Sequence, residues 1–330
     1  MKKIIFLLML ITGKLASAQS YHFSQFFSTP LLTNPAHTGF TEGPFRVASN
    51  FRSQGTANGN MFFSGYASAD YSLFRNKITE GHKAGIGLFL MNDHSLAGAL
   101  QTNSVGLSTA YNVGLDPYGE HSFGLGIQGV FHQRRFDYHK LTFENQFGPN
   151  GFDGSLPVGE PMDYNRRHSF DLNAGVMYNV NLQDKSFFAG FSAYNLLSHN
   201  DAVLAEEFKM PIRLNFQAGA RFYVHEYASV YSSLTSMYQN GANQLTLGGA
   251  YGYQLTDGNK NELIGGMWYR LKDAVIPYIG YQRDGFQVAL TYDYTVSSLK
   301  KAPRLKNGYE LTLLYKAPDK RELKTLIPWY

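Results

Sequence analysis

The stretch that decides the fold is Phe286-Gln287-Val288-Ala289-Leu290-Thr291-Tyr292-Asp293-Tyr294-Thr295-Val296. In an extended chain successive side chains point to opposite faces. Phe286, Val288, Leu290, Tyr292, Tyr294 and Val296 therefore share one side, and Gln287, Ala289, Thr291, Asp293 and Thr295 the other. One side is greasy and the other is small or polar. An acid inside the alternation, Asp293, fits a watery lumen better than a lipid face.

The same split recurs from His121 to Phe136, where Phe123, Leu125, Ile127 and Phe131 oppose Ser122, Gly124, Gly126 and Gln128. Extended to the whole chain, the pattern predicts strands over 45–53, 62–74, 82–94, 100–115, 121–136, 168–181, 185–197, 210–224, 226–240, 242–255, 262–271, 274–283, 286–297 and 308–316. The expected fold is all-β: a transmembrane antiparallel up-and-down barrel of fourteen strands, an even number as in bacterial single-chain barrels. Several predicted strands exceed the five or six residues usual in soluble sheets, which disfavours a periplasmic sandwich. Brief links near Gln183-Asp184, His225, Asp257-Gly258-Asn259 and Asp284-Gly285 mark one rim, and the longest link, Asp137 to Arg167, marks the other. Aromatics near strand ends, Tyr66, Tyr71, Phe74, Tyr178, Tyr223, Tyr227 and Tyr238, read as interfacial girdles.

Composition agrees with a membrane barrel. Charged residues make up 16% of the chain against about 25% in an ordinary soluble domain, while aromatics reach 15%. Lys2 and Lys3, the apolar run Ile4 to Ile11 and Ala16-Ser17-Ala18 read as a secretory signal over residues 1–18, cleaved after Ala18. The apolar run is too short to span a bilayer as a helix, which takes about 20 residues. Removing Lys2, Lys3 and Lys14 from the 29 basic residues leaves 26 against 25 acidic ones, so no nucleic-acid footprint exists. The absence of cysteine excludes disulfides and a lipoprotein acyl anchor. The expected organisation is a signal over 1–18, an aromatic and proline-bearing segment over 19–44, a barrel over 45–317 and a periplasmic tail over 318–330.

Catalytic, cofactor and metal sites are not expected. A serine nucleophile needs a base in reach and a third group orienting that base. Within one strand face that requires a spacing of two, which only His22-Phe23-Ser24 shows, ahead of the first strand. A barrel lipid hydrolase built on Ser24 is therefore the weakest of three readings. The histidines are not paired at metal-ligand spacing, and Asn145, Asn150, Asp153 and Asp163 lack the spacing of a calcium loop. Arg134-Arg135 and Lys300-Lys301 are basic pairs beside strand ends, in reach of lipopolysaccharide phosphates, although solvated rim charges explain them more simply.

The segment from His22 to Gly39, with Pro30 and Pro35 fixing local backbone angles, follows neither the strand nor the helix period. Its aromatics and scarcity of charge are unlike a disordered linker. Phe23, Gln25, Phe26, Pro30, Asn34, Pro35 and Gly39 are the candidate partner-binding or lumen-packing residues, in an ordered segment lying in the lumen or across the periplasmic mouth.

This segment resembles the opening signature of the PorP/SprF family of the Bacteroidetes type IX secretion system, approximately F-S-Q-Y followed by P-L-x-x-N-P-A-x-T-G. Here it stands as Phe23-Ser24-Gln25-Phe26, Pro30-Leu31, Asn34-Pro35-Ala36 and Thr38-Gly39. The resemblance continues through Gly85-Ile86-Gly87-Leu88, Phe170 to Tyr178, Ala189 to Leu197, Tyr292-Asp293-Tyr294 and Tyr309-Glu310. It implies a non-enzymatic outer-membrane component that assists export or surface anchoring of cargo, including gliding adhesins, through their C-terminal sorting domains. The partners it implies are other type IX components, cargo C-terminal domains and outer-membrane lipid. A passive channel for small solutes is the alternative that the barrel alone would suggest.

Overall fold

A lone strand in a bilayer leaves its backbone N–H and C=O groups unsatisfied, and closure of the sheet removes that cost. The computed structural model describes residues 22–55, 62–73, 82–95, 98–159, 166–197, 209–255, 261–297 and 307–318. The expected signal, residues 1–18, and most of the expected tail lie outside the described residues.

Fourteen antiparallel strands close into one barrel: β1 (Phe45–Gln54), β2 (Phe62–Leu73), β3 (Lys83–Ser95), β4 (Leu100–Gly114), β5 (His121–Phe136), β8 (Arg166–Asn181), β9 (Lys185–Tyr194), β10 (Arg213–His225), β11 (Ala228–Gln239), β12 (Ala242–Gln254), β13 (Asn261–Arg270), β14 (Ala274–Arg283), β15 (Phe286–Thr295) and β16 (Gly308–Lys316). Each predicted strand is present, with boundaries displaced by three residues at most. The two-residue strands β6 (Phe147–Gly148) and β7 (Gly151–Phe152) form a separate hairpin inside the longest link. β1 closes the barrel on β16, from Arg46 opposite Lys316 to Gln54 opposite Gly308. Both end strands therefore meet the same rim, the one with the brief turns.

The pleat sorts the sequence as its alternation demands. On β15, Gln287, Ala289, Thr291, Asp293 and Thr295 are buried, while Phe286, Leu290 and Tyr294 are exposed on the outer wall. Tight links follow hairpin chemistry: Asn240-Gly241 and Asp284-Gly285 all take positive φ, the pair of angles a type I′ turn requires. Pro277 interrupts the wall locally. It offers no N–H, and the β14–β15 pairing skips Ile276 and Pro277 while β13–β14 remains continuous.

Two girdle assignments fail: Tyr223 shares the inner parity of the buried Arg221, whose guanidinium lies 4.2 Å over its ring, and Tyr66 is the other. Tyr71, Tyr178 and Tyr238 stand on the outer wall, but Tyr66 is buried in the lumen against Phe23 and Phe89. Its parity is that of Ser64, Ser68 and Asp70, which already places it on the inner face. Phe74 lies outside the described residues.

Candidate functional site in the lumen

Three short turns compact the segment before β1. A 3-10 turn covers Phe26–Ser28, one α-helical turn covers Pro30–Thr33 and a second 3-10 turn covers Pro35–His37. Pro30 and Pro35 each open a turn, where the missing N–H costs nothing and the fixed φ is already helical. Asn34 sits between them: its Oδ1 accepts from the Ala36 N–H at 2.9 Å, and its Nδ2 donates to the Val176 carbonyl of β8 at 2.9 Å. One side chain thus caps a turn and fastens it to the wall.

The turns lie inside the barrel. Phe23, Gln25, Phe26, Pro30, Asn34, Pro35 and Gly39 are all buried, with Gln25 and Asn34 at 0% exposure. The structure brings these candidates into one lumen but not around one point. Gln25 meets β15 and β16, Asn34 and Pro35 meet β5, β8 and β9, and Gly39 meets β2 and β3.

Shape fixes the middle of the segment. A Cβ on Gly126 would come within 2.4 Å of the Ala36 nitrogen, and one on Gly175 within 2.0 Å of Asn34 Oδ1. Both wall positions are small because the plug backbone and Asn34 occupy the space. Phe27 is fully buried, its ring 4.9 Å from Trp268 and 5.7 Å from Tyr278, while Leu31 fills the opposite side beside Tyr66 and Phe89. The segment's free carbonyls are met by the polar inner face: Gln128 donates to Leu31, and Ser192 and Asn215 both donate to Thr33, each at 2.9 Å. Without these bonds the buried carbonyls would each cost about 1–3 kcal/mol.

Charge fixes the two ends. Near the long-link rim, Ser24 Oγ donates to Asp293 at 2.7 Å and accepts from Arg52 at 2.5 Å and Arg270 at 2.6 Å. Arg52 and Arg270 each pair with Asp293, at 2.8 and 2.9 Å, and Arg52 also pairs with Glu310 at 3.3 Å. Glu310 in turn accepts the backbone N–H groups of Ser24 and Gln25. At the short-turn rim, Arg46 grips Asp70 through Nε and Nη2, both at 2.9 Å, and also donates to the His37 carbonyl. Asp70 accepts from the N–H of Gly39, a residue at φ +67 that lies directly against Gly85. The segment therefore runs the length of the lumen, from the long-link rim to the start of β1. Burial, and then the guanidinium of Arg46, hold the His37 imidazole well below its ordinary range, so it is neutral at pH 7.

Chemically the site holds a peptide rather than activating a nucleophile. The proton of Ser24 faces a carboxylate neutralised by two arginines, which is a poor base. A serine–histidine contact was invisible to a search for spacing within one strand, because it crosses strands. Ser104 of β4 stands opposite His132 of β5 in register, Oγ to Nδ1 at 2.7 Å, and Asp171 of β8 lies 3.9 Å from His132 Nε2. The register, once the hairpin is drawn, is the signal that finds it. The acid is beyond hydrogen-bond distance, and the surrounding strand N–H groups belong to the ladders with β3 and β5.

Among the described residues, a cavity of about 40 Å³ lies among His22, Phe26, Leu32, Tyr194 and Arg213, room for a water or two, and a larger one of about 470 Å³ lies at the wall beside Pro277, lined by Phe51, Arg52, Tyr278, Thr291 and Glu310.

Comparison with solved structures finds the same barrel architecture. A TodX deltaS2S3 mutant monoaromatic hydrocarbon channel matches with TM-score 0.56 and 11% identity, covering 88% of this chain and 94% of that one. The CymD monoaromatic hydrocarbon channel matches with TM-score 0.54 and 8% identity, covering 89% and 94%. A Pseudomonas aeruginosa FadL homologue matches with TM-score 0.50 and 11% identity, covering 86% and 92%. At these identities the likeness is one of fold. No curated protein matches the chain in sequence. The family pattern described as type IX secretion system membrane protein PorP/SprF matches residues 15–315, from the segment in the lumen to the last strand, and the chain belongs to that family.

Proposed function

We propose that this protein is a non-enzymatic outer-membrane platform that assists export or surface anchoring of type IX cargo. It engages the C-terminal sorting domains of that cargo together with other secretion components. The chain reaches the membrane through a signal cleaved after Ala18, and its long-link rim faces outward. The observation that carries the reading is the plug: the ordered segment occupies the lumen and is bonded to inner-face residues around the wall, which speaks against a permanently open pore. What the barrel offers instead is a rigid rim and a fixed lumenal surface, suited to holding a partner.

Deletion of the gene is expected to leave a specific type IX cargo inside the cell or shed into the medium, read by immunoblot of surface, cell and medium fractions. Normal display of every cargo in a strain without paralogues would overturn the reading. Planar-bilayer recording addresses the rival channel: the wild-type barrel is expected to be silent, and a steady open pore would favour transport.

A further inference from the structure

The outer wall of β3, β4, β5 and β8 changes character in three levels toward the long-link rim. Register places Leu90, Val105, Phe131 and Phe170 side by side as one exposed apolar row. Two residues higher on each strand stand Asn92, Asn103, Gln133 and His168. Two residues higher again stand His94, Gln101, Arg135 and Arg166. The middle row is already organised: Asn92 Nδ2 donates to Asn103 Oδ1 at 2.5 Å, and the His168 ring stacks on Phe131 with centroids 5.5 Å apart and planes at 16°.

The top row is anomalous. Arg135 and Arg166 are exposed, face outward and stand directly opposite each other on paired strands, where like charges destabilise a sheet. Neither makes an ion pair or hydrogen bond among the described residues. The row contains no carboxylate. Asp93 belongs to the inner face, where it meets Ser64, and Asp137, just past β5, faces Lys140 at 3.9 Å. Something anionic outside the protein would relieve this repulsion.

The levels also have the right spacing for a lipid. Four residues separate Phe131 from Arg135, about 13 Å along the strand and roughly 10 Å in height once a strand tilt of about 40° is allowed. An acyl chain lies against the aromatic row, sugar hydroxyls meet the amide row, and a phosphate reaches the two guanidinium forks, which suit it bidentately. We propose that this wall is a binding site for a phosphorylated glycolipid of the outer leaflet. The inference rests on the outward placement of the long-link rim and not on the cargo role, and its test involves no secretion.

The experiment uses the full-length protein in phosphatidylcholine nanodiscs doped with monophosphoryl lipid A, with dephosphorylated lipid A or with phosphatidylglycerol, and measures bound lipid by native mass spectrometry. Wild-type protein is expected to prefer the phosphorylated glycolipid. Each arginine is expected to contribute roughly fivefold, so Arg135→Gln/Arg166→Gln should weaken binding about 25-fold. Arg283→Gln, an exposed arginine on the opposite rim, should leave it unchanged. Equal binding of dephosphorylated lipid A or phosphatidylglycerol overturns the assignment, as does full displacement by inorganic phosphate, which would mark a simple anion site. So does undiminished binding by the glutamine pair with its heat-resistant folded band intact on gels. Should that pair not fold, Arg135→Lys/Arg166→Lys keeps the charge and removes the forks. It is expected to bind several-fold more weakly, and unchanged binding overturns the proposal.

Discussion

Two stretches of the lumenal segment, its first end and its middle, are held by different physics. From Ser24 to Gln25 the grip is ionic: Arg52, Arg270, Asp293 and Glu310 converge from four strands on one hydroxyl and two backbone N–H groups. From Asn34 to Ala36 the grip is steric, a backbone seated on Gly126 and Gly175 with neutral hydrogen bonds around it. Ionic contacts inside a protein depend on every partner being present, because a deserted buried charge is costly. Contacts seated on glycine have no side chain to lose and fail when volume is added. The first stretch can therefore be released by removing one group, whereas the second yields most to insertion.

The largest expected effect breaks the ionic stretch. Asp293→Ala leaves Arg52 and Arg270 sharing Glu310 and Asp273 alone, and loss of one partner from a buried ion pair costs about 3–5 kcal/mol. Limited proteolysis with mass spectrometry should find new cleavage near Phe23–Phe27, with protection retained at Pro35–Thr38. Equal loss of protection along the whole segment would show that the two stretches are one unit. Gly126→Val attacks the other stretch. Its side chain must displace plug backbone, an overpacking penalty of about 1–3 kcal/mol, and proteolysis should now open Asn34–Gly39 first. If both variants also conduct in planar bilayers, neither stretch alone seals the lumen.

The barrel was legible because its signal is one-dimensional. Period-two alternation in segments such as Phe286–Val296 fixes strand, face and approximate ends, and an even count follows. The parity of Tyr66 was legible too, and its girdle assignment erred by weighing residue type over alternation. The segment was readable as ordered from its prolines and aromatics. Its docking was not, because the wall partner of Asn34 depends on strand tilt and stagger, which no local pattern encodes. The Ser24 cluster joins residues 269 and 286 positions apart in the chain, and the Ser104–His132 contact needs the β4–β5 register.

Asn34→Ala sharpens the steric stretch from within. It removes a cap and a donor to the Val176 carbonyl, together about 1–3 kcal/mol. Asn34→Asp keeps the cap acceptor but faces a carboxylate toward that carbonyl. Urea unfolding in detergent should rank wild type, then Asn34→Ala, then Asn34→Asp. An aspartate variant as stable as wild type would show that the wall bond contributes little.

The smallest expected effect tests whether the steric stretch is also free of charge in its neighbour His37. That imidazole is neutral in the folded protein, held below its unfolded value first by burial and then by Arg46. The unfolded chain therefore binds more protons than the folded one as pH falls through about 6.5, and stability contributed by keeping His37 neutral is present above that value and lost below it. Replacing His37 by Gln retains a group able to bond Gln217, 2.6 Å away, and removes the titration. Unfolding midpoints of wild type and His37→Gln should run parallel from pH 8 to about 7 and diverge below about 6.5, with the wild type falling faster. Parallel curves down to pH 5 would mean that the imidazole accepts a proton without leaving its seat, and that the steric stretch tolerates a charge as the ionic stretch does.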